Sequence, residues 1–236
     1  MTNFDKASLY EVITKAVVEE LHNQVLPSSS TTVPSKTQVP VGISARHLHL
    51  QQEHADLLFG AGYTFTKHKD LSQPGQYACK ETVTIQGPKG SIEKVRLLVP
   101  LRSATQVEIS RSDARGLGIM PPVRKSGNLK GSSPITIIGP KGSVHLQECC
   151  IIADRHIHMS PKDAADFKVT NLQKVAVLVE GDKGGVMANV TIRVSDRYKL
   201  DMHIDTDDAN AFGLKGDEQL RIIDIPEYGG SENGDW

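Results

Sequence analysis

An internal repeat is the feature of this sequence that most restricts its fold. The segment Arg46-His-Leu-His-Leu50 is echoed 109 positions later by Arg155-His-Ile-His-Met159. A second echo, 95 positions apart, relates Val107-Glu108-Ile109 to Met202-His203-Ile204, and an alanine follows each at the same distance. Self-similarity at a constant internal spacing indicates duplication of one structural unit. We therefore predict two copies of the same fold.

The two spacings differ because the first copy is longer. The extra residues are accommodated most simply between 60 and 81, a stretch that contains Lys67, His68 and Lys69. An arginine stands six positions before Glu108 and six before His203, at Arg102 and Arg197. The matching arginines support duplication rather than a chance pair of similar motifs.

The body of the chain, about 38–226, consists of short β-branched or alternating runs separated by glycine-containing turns at 87–91, 139–143 and 181–185. Alternation is typical of half-buried strands, and the turns are typical of hairpins. Short helices are predicted at 51–59, 112–116, 160–167 and 206–212. Many short strands with few helices favour a mainly β fold of the barrel or sandwich class.

The N-terminal region differs from the body. Residues 1–26 contain an amphipathic helix at about 5–25, and residues 27–37 are a polar, proline-bounded linker. A single helix of this length is marginal in water, so its apolar face should dock on something. Two interpretations stay open: packing on the chain's own body or a second copy, and an address tag for a partner protein. The last residues, 227–236, are predicted to be loose.

Composition excludes several classes of function. The net charge of −1 and the 5% aromatic content do not favour nucleic-acid binding. No apolar run approaches the roughly 18 residues of a membrane span, and no secretory signal is present, so we expect a cytoplasmic protein without membrane partners. Three cysteines, two of them adjacent, are a poor disulfide framework.

The repeated His-x-His motif predicts two metal sites. Residues i and i+2 of a strand point to the same face, so each motif presents two imidazoles side by side. A third ligand from a neighbouring strand would complete a three-ligand site with open positions, as catalytic metals require. Such sets suit zinc, and the set with a carboxylate also suits iron. The predicted ligands are His47, His49 and Glu108 in the first copy, and His156, His158 and His203 in the second.

Arginines and cysteines are further candidates for binding or catalysis in this sequence. Arg102 is the better candidate for an anion clamp, whereas Arg197 reads as an ordinary surface arginine. Cys79, Cys149 and Cys150 are predicted to be buried thiols rather than nucleophiles. No dinucleotide fingerprint, phosphate loop or serine elbow is present. Without a covalent nucleophile, direct attack on a metal-bound substrate is the expected mechanism.

Four segments together resemble the phosphate propanoyltransferase family, the phosphotransacylases of bacterial microcompartments. They are Val41–Leu50, Leu101–Glu108, Ser126–Ser132 and Ala153–Ser160. The resemblance covers about 38–226 and implies two tandem β-barrels, 38–131 and 132–226, capped by short helices. It also implies that the strand at 38–46 is exchanged into the second barrel, and that the N-terminal helix is an encapsulation peptide.

The resemblance further implies a chemistry. It assigns two divalent metal ions, usually zinc, to the six predicted ligands, and reversible acyl transfer between coenzyme A and phosphate. Arg102 would bind phosphate, Arg102 and Glu108 would be catalytic, and Ser44, Lys69 and Ser126 would contact coenzyme A. Location inside a microcompartment, shell or core proteins as partners, and a homo-oligomer are further expectations.

Two alternatives to the transacylase stay open at the level of sequence. A zinc-dependent thioester hydrolase would use the same ligands with water in place of phosphate. A non-catalytic metal-binding scaffold protein would bind metal and leave thioesters intact.

Overall fold

The computed structural model describes residues 38–223, which form fourteen strands and four short helices. The strands are β1 Gln38–Ser44, β2 His47–His49, β3 Lys67–Asp70, β4 Tyr77–Gln86, β5 Ser91–Val99, β6 Gln106–Glu108, β7 Val123–Arg124, β8 Ser133–Ile138, β9 Ser143–Ala153, β10 His156–Met159, β11 Lys174–Val179, β12 Gly185–Val194, β13 Asp201–Asp205 and β14 Gln219–Ile223. The helices are α1 Gln52–Phe59, α2 Arg111–Leu117, α3 Pro161–Phe167 and α4 Thr206–Phe212.

The strands close into two six-stranded barrels. Barrel 1 consists of β4, β5, β2, β6, β9 and β8 in order around the ring, with β3 paired to β4 and β7 paired to β9. Barrel 2 consists of β1, β13, β10, β12, β11 and β14. The prediction of a mainly β fold with two barrels and short capping helices is confirmed.

The two barrels exchange their first strands. β1 pairs with β13 and β14 and so completes barrel 2, although β2, which follows it directly, lies in barrel 1. β9 pairs with β6 and β8 and completes barrel 1, although β10 lies in barrel 2. The strand pairing therefore does not follow a division at residue 131/132, because β8 and β9 belong to barrel 1. The repeated unit begins with a strand that crosses into the other barrel.

Local sequence accounts for the helices and the turns. Ser110 and Ser160 each begin a helix with a side-chain oxygen that accepts the backbone N–H three residues later, which satisfies an otherwise unpaired donor. The hairpin turn between β4 and β5 packs on the end of α2, where Lys89 N–H donates to the carbonyl of Leu117 at 3.0 Å. A Cβ at Gly87 would lie only 2.3 Å from that carbonyl oxygen, so the close approach requires glycine.

Each barrel has its own apolar core of buried aliphatic side chains. Leu48, Leu97 and Ile137 are among the fully buried residues of barrel 1. Met159, Met187 and Ile192 are among the fully buried residues of barrel 2. The His-x-His strands β2 and β10 thus each have one apolar residue between their histidines, Leu48 and Ile157, that faces the core. Alternation along the strand directs the histidines to the opposite face.

Two predictions concern residues outside the described range. The amphipathic helix and linker at 1–37 and the loose tail at 227–236 are not among residues 38–223. Within that range no helix is long and apolar enough to cross a bilayer.

Candidate metal centre

The exchange of strands brings the two His-x-His motifs into one cavity. Only Ala45 and Arg46 separate β1 from β2, and only Asp154 and Arg155 separate β9 from β10. The two crossings are fastened in the same way: Arg46 forms an ion pair with Asp113 at 2.8 Å, and Arg155 forms one with Asp208 at 2.8 Å. A cavity of about 770 Å³ lies at the crossings and is lined by residues of both barrels.

The first donor cluster consists of His47, His49 and Glu108. Antiparallel pairing of β2 with β6 sets His47 opposite Glu108, and His47 Nε2 lies 3.5 Å from Glu108 Oε2. One ligand atom from each of the three residues lies within 4.8 Å of the others. Barrel 1 therefore holds the carboxylate and two imidazoles at coordination range of a common point.

The second donor cluster consists of His156, His158 and His203. The antiparallel pairing of β10 with β13 sets His156 opposite His203, in the same register as His47 and Glu108. The rings of His156 and His203 are stacked with their centroids 5.2 Å apart, and all three ligand atoms again lie within 4.8 Å of one another. The duplicated unit thus builds the same three-donor arrangement twice.

Hydrogen bonding at the clusters fits metal ligation. His47 Nδ1 lies 2.8 Å from the carbonyl of Ala45, and His156 Nδ1 lies 2.8 Å from the carbonyl of Asp154. A carbonyl can only accept, so each Nδ1 carries the proton and each Nε2 presents a lone pair to its cluster. In barrel 1 this nitrogen lies 3.5 Å from the carboxylate of Glu108.

Three further ring nitrogens at the clusters are buried without a hydrogen-bond partner. They are Nδ1 of His49, Nδ1 of His158 and Nε2 of His203. His203 Nε2 does lie 3.2 Å from Asp201 Oδ2, but the two atoms are not aligned for a hydrogen bond. Buried polar atoms are normally paired, and a cation bound at each cluster would give all three nitrogens a partner. Both donor sets therefore fit a divalent metal.

Burial and charge hold the donors in their ligating protonation states. Burial lowers the pKa of His156 to about 4, and the neighbouring His203 adds to the effect. Burial, with the charges of His156 and His203, lowers the pKa of His158 to about 2. For Glu108 burial alone would raise the pKa, but His47, His49 and Arg102 outweigh it and lower the value to about 2. Near pH 7 these two histidines are neutral and the glutamate is ionised.

A hydrogen-bond network joins Arg102 to the first cluster through Ser126. Ser126 Oγ accepts from Arg102 Nη1 at 3.0 Å and from Gln106 Nε2 at 2.8 Å, and it donates to Glu108 Oε1 at 3.0 Å. A hydroxyl has one donor and two acceptor positions, so these contacts use all of them. The backbone N–H of Gly127 fixes Gln106 by donating to its Oε1 at 2.7 Å.

The predicted substrate residues share one cavity, whereas Arg197 lies outside it. Ser44, Lys69 and Ser126 all line the cavity, as does Arg102. Lys69 comes from the strand β3 that only the first copy contains. Arg197 is exposed and is not among the residues that line this cavity. The structure thus separates the two repeat-related arginines.

The cysteine prediction is confirmed. All three thiols are buried and free. Burial raises the pKa of Cys79 to about 11 and that of Cys149 to about 12, and it raises the pKa of Cys150 as well. Because the thiolate is the nucleophile, none is suited to that role at neutral pH.

Sequence reasoning missed several polar residues of the cavity. Gln106 and Asp201 are buried and occupy equivalent places, opposite His49 and His158 in the strand register. Each stands two residues before the third ligand, so the period of a strand could have identified them. Arg193 and Tyr198 also line the cavity and carried no such signal.

The fold and the site together define a duplicated double-barrel protein with two three-donor clusters that could each bind a metal ion. Comparison with known proteins is consistent with this class. The family model for phosphate propanoyltransferase matches residues 40–215. The chain is similar to the phosphate propanoyltransferase of Priestia megaterium, with 51% identity over 90% of this chain and 98% of the relative.

Two other relatives show the same similarity. The phosphate propanoyltransferase of Rhodobacter capsulatus is 53% identical over 78% of this chain and 86% of its own length. That of Citrobacter freundii is 45% identical over 94% of this chain and 99% of its own length. The chain belongs to the phosphate propanoyltransferase family, a family of acyltransferases.

Proposed function

We propose that this chain transfers a short acyl group, propanoyl by default, reversibly between coenzyme A and phosphate at a two-metal centre. The observation that carries the proposal is the pair of three-donor clusters in one cavity, with Arg102 tied to the first cluster. The names of the similar proteins supply the substrates. The proposed reaction joins a phosphate oxygen to the thioester carbonyl carbon, breaks the C–S bond and releases coenzyme A as the thiolate.

His47, His49 and Glu108 would hold one divalent ion, and His156, His158 and His203 would hold the other; zinc suits both sets. Ions bound there would supply Lewis acidity and favour the thiolate form of coenzyme A. The two clusters differ in charge type, because the first contains the ionised carboxylate of Glu108 and the second consists of imidazoles only. The dianionic substrate, phosphate, is therefore assigned to the three-histidine side, and the sulfur of coenzyme A to the side that carries Glu108.

Arg102 would bind phosphate and stabilise the charge that develops on its oxygens. The guanidinium keeps free N–H groups after its one bond to Ser126. Ser44 and Lys69 are proposed to contact coenzyme A, since both line the cavity from the side of β1 and β3. Ser126 has no unused hydrogen-bonding position, so a role in orienting Glu108 and Arg102 suits it better than a direct contact with coenzyme A.

The proposal is tested by following free thiol released from propanoyl-coenzyme A. Wild-type protein is expected to release thiol only when phosphate is present, to lose this activity on chelation, and to regain it when zinc is added back. The regain controls for unfolding during chelation. Release without phosphate would instead indicate a hydrolase. Absence of release from metal-loaded, folded protein would favour the scaffold alternative.

We also propose that residues 1–26 direct the enzyme into a bacterial microcompartment, with 27–37 as the tether. The support is the amphipathic pattern followed by a polar linker. Fused to a fluorescent protein, residues 1–37 should give fluorescent foci that copurify with shells in cells that make microcompartments. A matched fusion with Val12 and Leu21, two residues of the apolar face, changed to glutamate should stay diffuse; equal localisation of both fusions would contradict the proposal. The expected homo-oligomer stays a prediction.

A further inference from the structure

The duplicated unit carries one difference at the cavity wall that the donor clusters do not explain. In barrel 1, β5 runs beside β2, with Leu48 paired to Leu97. In barrel 2, β12 runs beside β10, with Ile157 paired to Ile192. The next residues along the two strands, Leu98 and Arg193, are therefore equivalent, and both line the cavity. An apolar residue in one copy corresponds to a guanidinium in the other.

Arg193 lies beside the three-histidine cluster and is held in place there. It is paired with His158 in the register of β10 and β12. Its Nη2 donates to the hydroxyl of Tyr198 at 3.2 Å, and the guanidinium lies 5.7 Å from the centre of the same ring. The Tyr198 ring in turn packs on the ring of His158, with centroids 4.1 Å apart.

The loop that carries Tyr198 is anchored from the other barrel. Gln73 belongs to the stretch that only the first copy contains, and it is buried. Its Nε2 donates to the carbonyl of Lys199 at 3.0 Å, and its Oε1 accepts from the N–H of Lys199 at 3.2 Å. The amide thus binds the loop backbone with both of its ends. This pair of bonds fixes the position of Tyr198 and, through it, of Arg193.

Arg102 and Arg193 differ from Arg46, another arginine of the cavity, which is paired with Asp113. Within residues 38–223 no Asp or Glu lies at ion-pair distance from Arg102 or Arg193. Arg102 bonds to a serine and Arg193 to a tyrosine, both neutral. The two guanidinium groups also feel each other's charge: burial lowers the pKa of Arg102, the charge of Glu108 acts in the opposite direction, and the charge of Arg193 lowers the pKa further. Arg102 and Arg193 share a partly buried cavity, so an anion bound between them would offset their mutual repulsion.

We infer that Arg193, oriented by Tyr198, is a second residue that binds the phosphate group of the substrate, opposite Arg102 and beside the three-histidine cluster. This inference rests on the proposed function. Two planar guanidinium groups approaching from different barrels would offer several charge-assisted N–H donors to one tetrahedral anion. Arg102 and Arg193 come from non-equivalent positions of the repeat. Because both line the same cavity, both can contact a single phosphate.

The test changes Arg193 to leucine, the residue that barrel 1 has at this position. In metal-loaded protein, Arg193→Leu is expected to raise the KM for phosphate about tenfold or more, since charge-assisted bonds to phosphate are lost. The KM for propanoyl-coenzyme A should change less than about twofold, because its sulfur is assigned to the other cluster. Arg193→Lys should recover part of the loss. Arg197→Leu, which removes an exposed arginine from the loop that carries Tyr198, is the matched control and should leave both constants unchanged.

Binding gives a second readout besides activity. Added phosphate should raise the thermal unfolding temperature of metal-loaded wild type, and the rise should be much smaller for Arg193→Leu. An unchanged KM for phosphate with an unchanged thermal rise would overturn the inference, as would equal increases in both KM values. If Arg193→Leu does not fold, Tyr198→Phe removes only the orienting hydroxyl and should still raise the KM for phosphate selectively. Wild type without any dependence on phosphate would instead refute the proposed function itself.

Discussion

Replacing Glu108 with alanine is expected to lower phosphate-dependent thiol release at least about 100-fold, since even residues behind a metal ligand change activity 10- to 100-fold. The substitution leaves only His47 and His49 at the first cluster. It also removes the ionised carboxylate that accepts from Ser126 and lies 3.5 Å from His47 Nε2. The loss therefore affects the binding of the metal and the orientation of its neighbours together.

The measurement pairs turnover with metal content per chain. Bound metal should fall from about two ions to about one, because the second cluster is untouched. Glu108→Gln keeps the shape and tests the charge alone, so it should bind the first ion weakly. Glu93→Ala, at an exposed position of β5, is the control and should keep both ions and full activity. Full activity of folded Glu108→Ala would contradict the assigned site.

The two donor clusters could be predicted from the sequence because the signal is local and repeated. A strand directs alternate residues to one face. The sequence alone therefore predicts that His47 lies beside His49 and that His156 lies beside His158. Glu108 and His203 lie on other strands, and only the repeat relates them to the histidine pairs. The structure brings each opposite the first histidine of its copy.

The division of the chain into barrels could not be predicted from the residues themselves. β1 and β9 have the same alternation whether they pair within their own unit or with the other one. Apolar pattern fixes which face of a strand is buried, but not which barrel supplies the neighbour. The exchange is visible only in long-range pairs such as Gly42 with His203 and Val107 with Cys150.

The network around Arg102 was also beyond sequence reasoning. Ser126 stands in an irregular segment, and its three contacts come from residues 18 to 24 positions away. Arg193 looked like an ordinary strand residue, since a single arginine at a strand end is usually solvated. Its cavity position follows from the pairing with His158 and from the docking of Gln73 on Lys199.

Arg102→Ala is expected to lower kcat/KM for phosphate about 100- to 1,000-fold, the range for loss of one donor that stabilises developing charge. The side chain reaches the cavity from the segment between β5 and β6, where the backbone N–H of Arg102 donates to the carbonyl of Leu50 at 2.8 Å. Alanine keeps that backbone bond, so the fold should be retained. Metal content should stay near the wild-type value, which separates this variant from Glu108→Ala.

The repeat supplies the control for this prediction. Arg197 corresponds to Arg102 in the second copy, but it is exposed and does not line the cavity. Arg197→Ala should therefore keep wild-type kinetics, although it removes the same side chain from the equivalent place. Arg102→Lys retains a charge without the planar pair of donors and should recover only part of the activity. If Arg102→Ala and Arg197→Ala behave alike, the guanidinium of Arg102 has no special part in binding phosphate, and position within the cavity does not distinguish the two arginines.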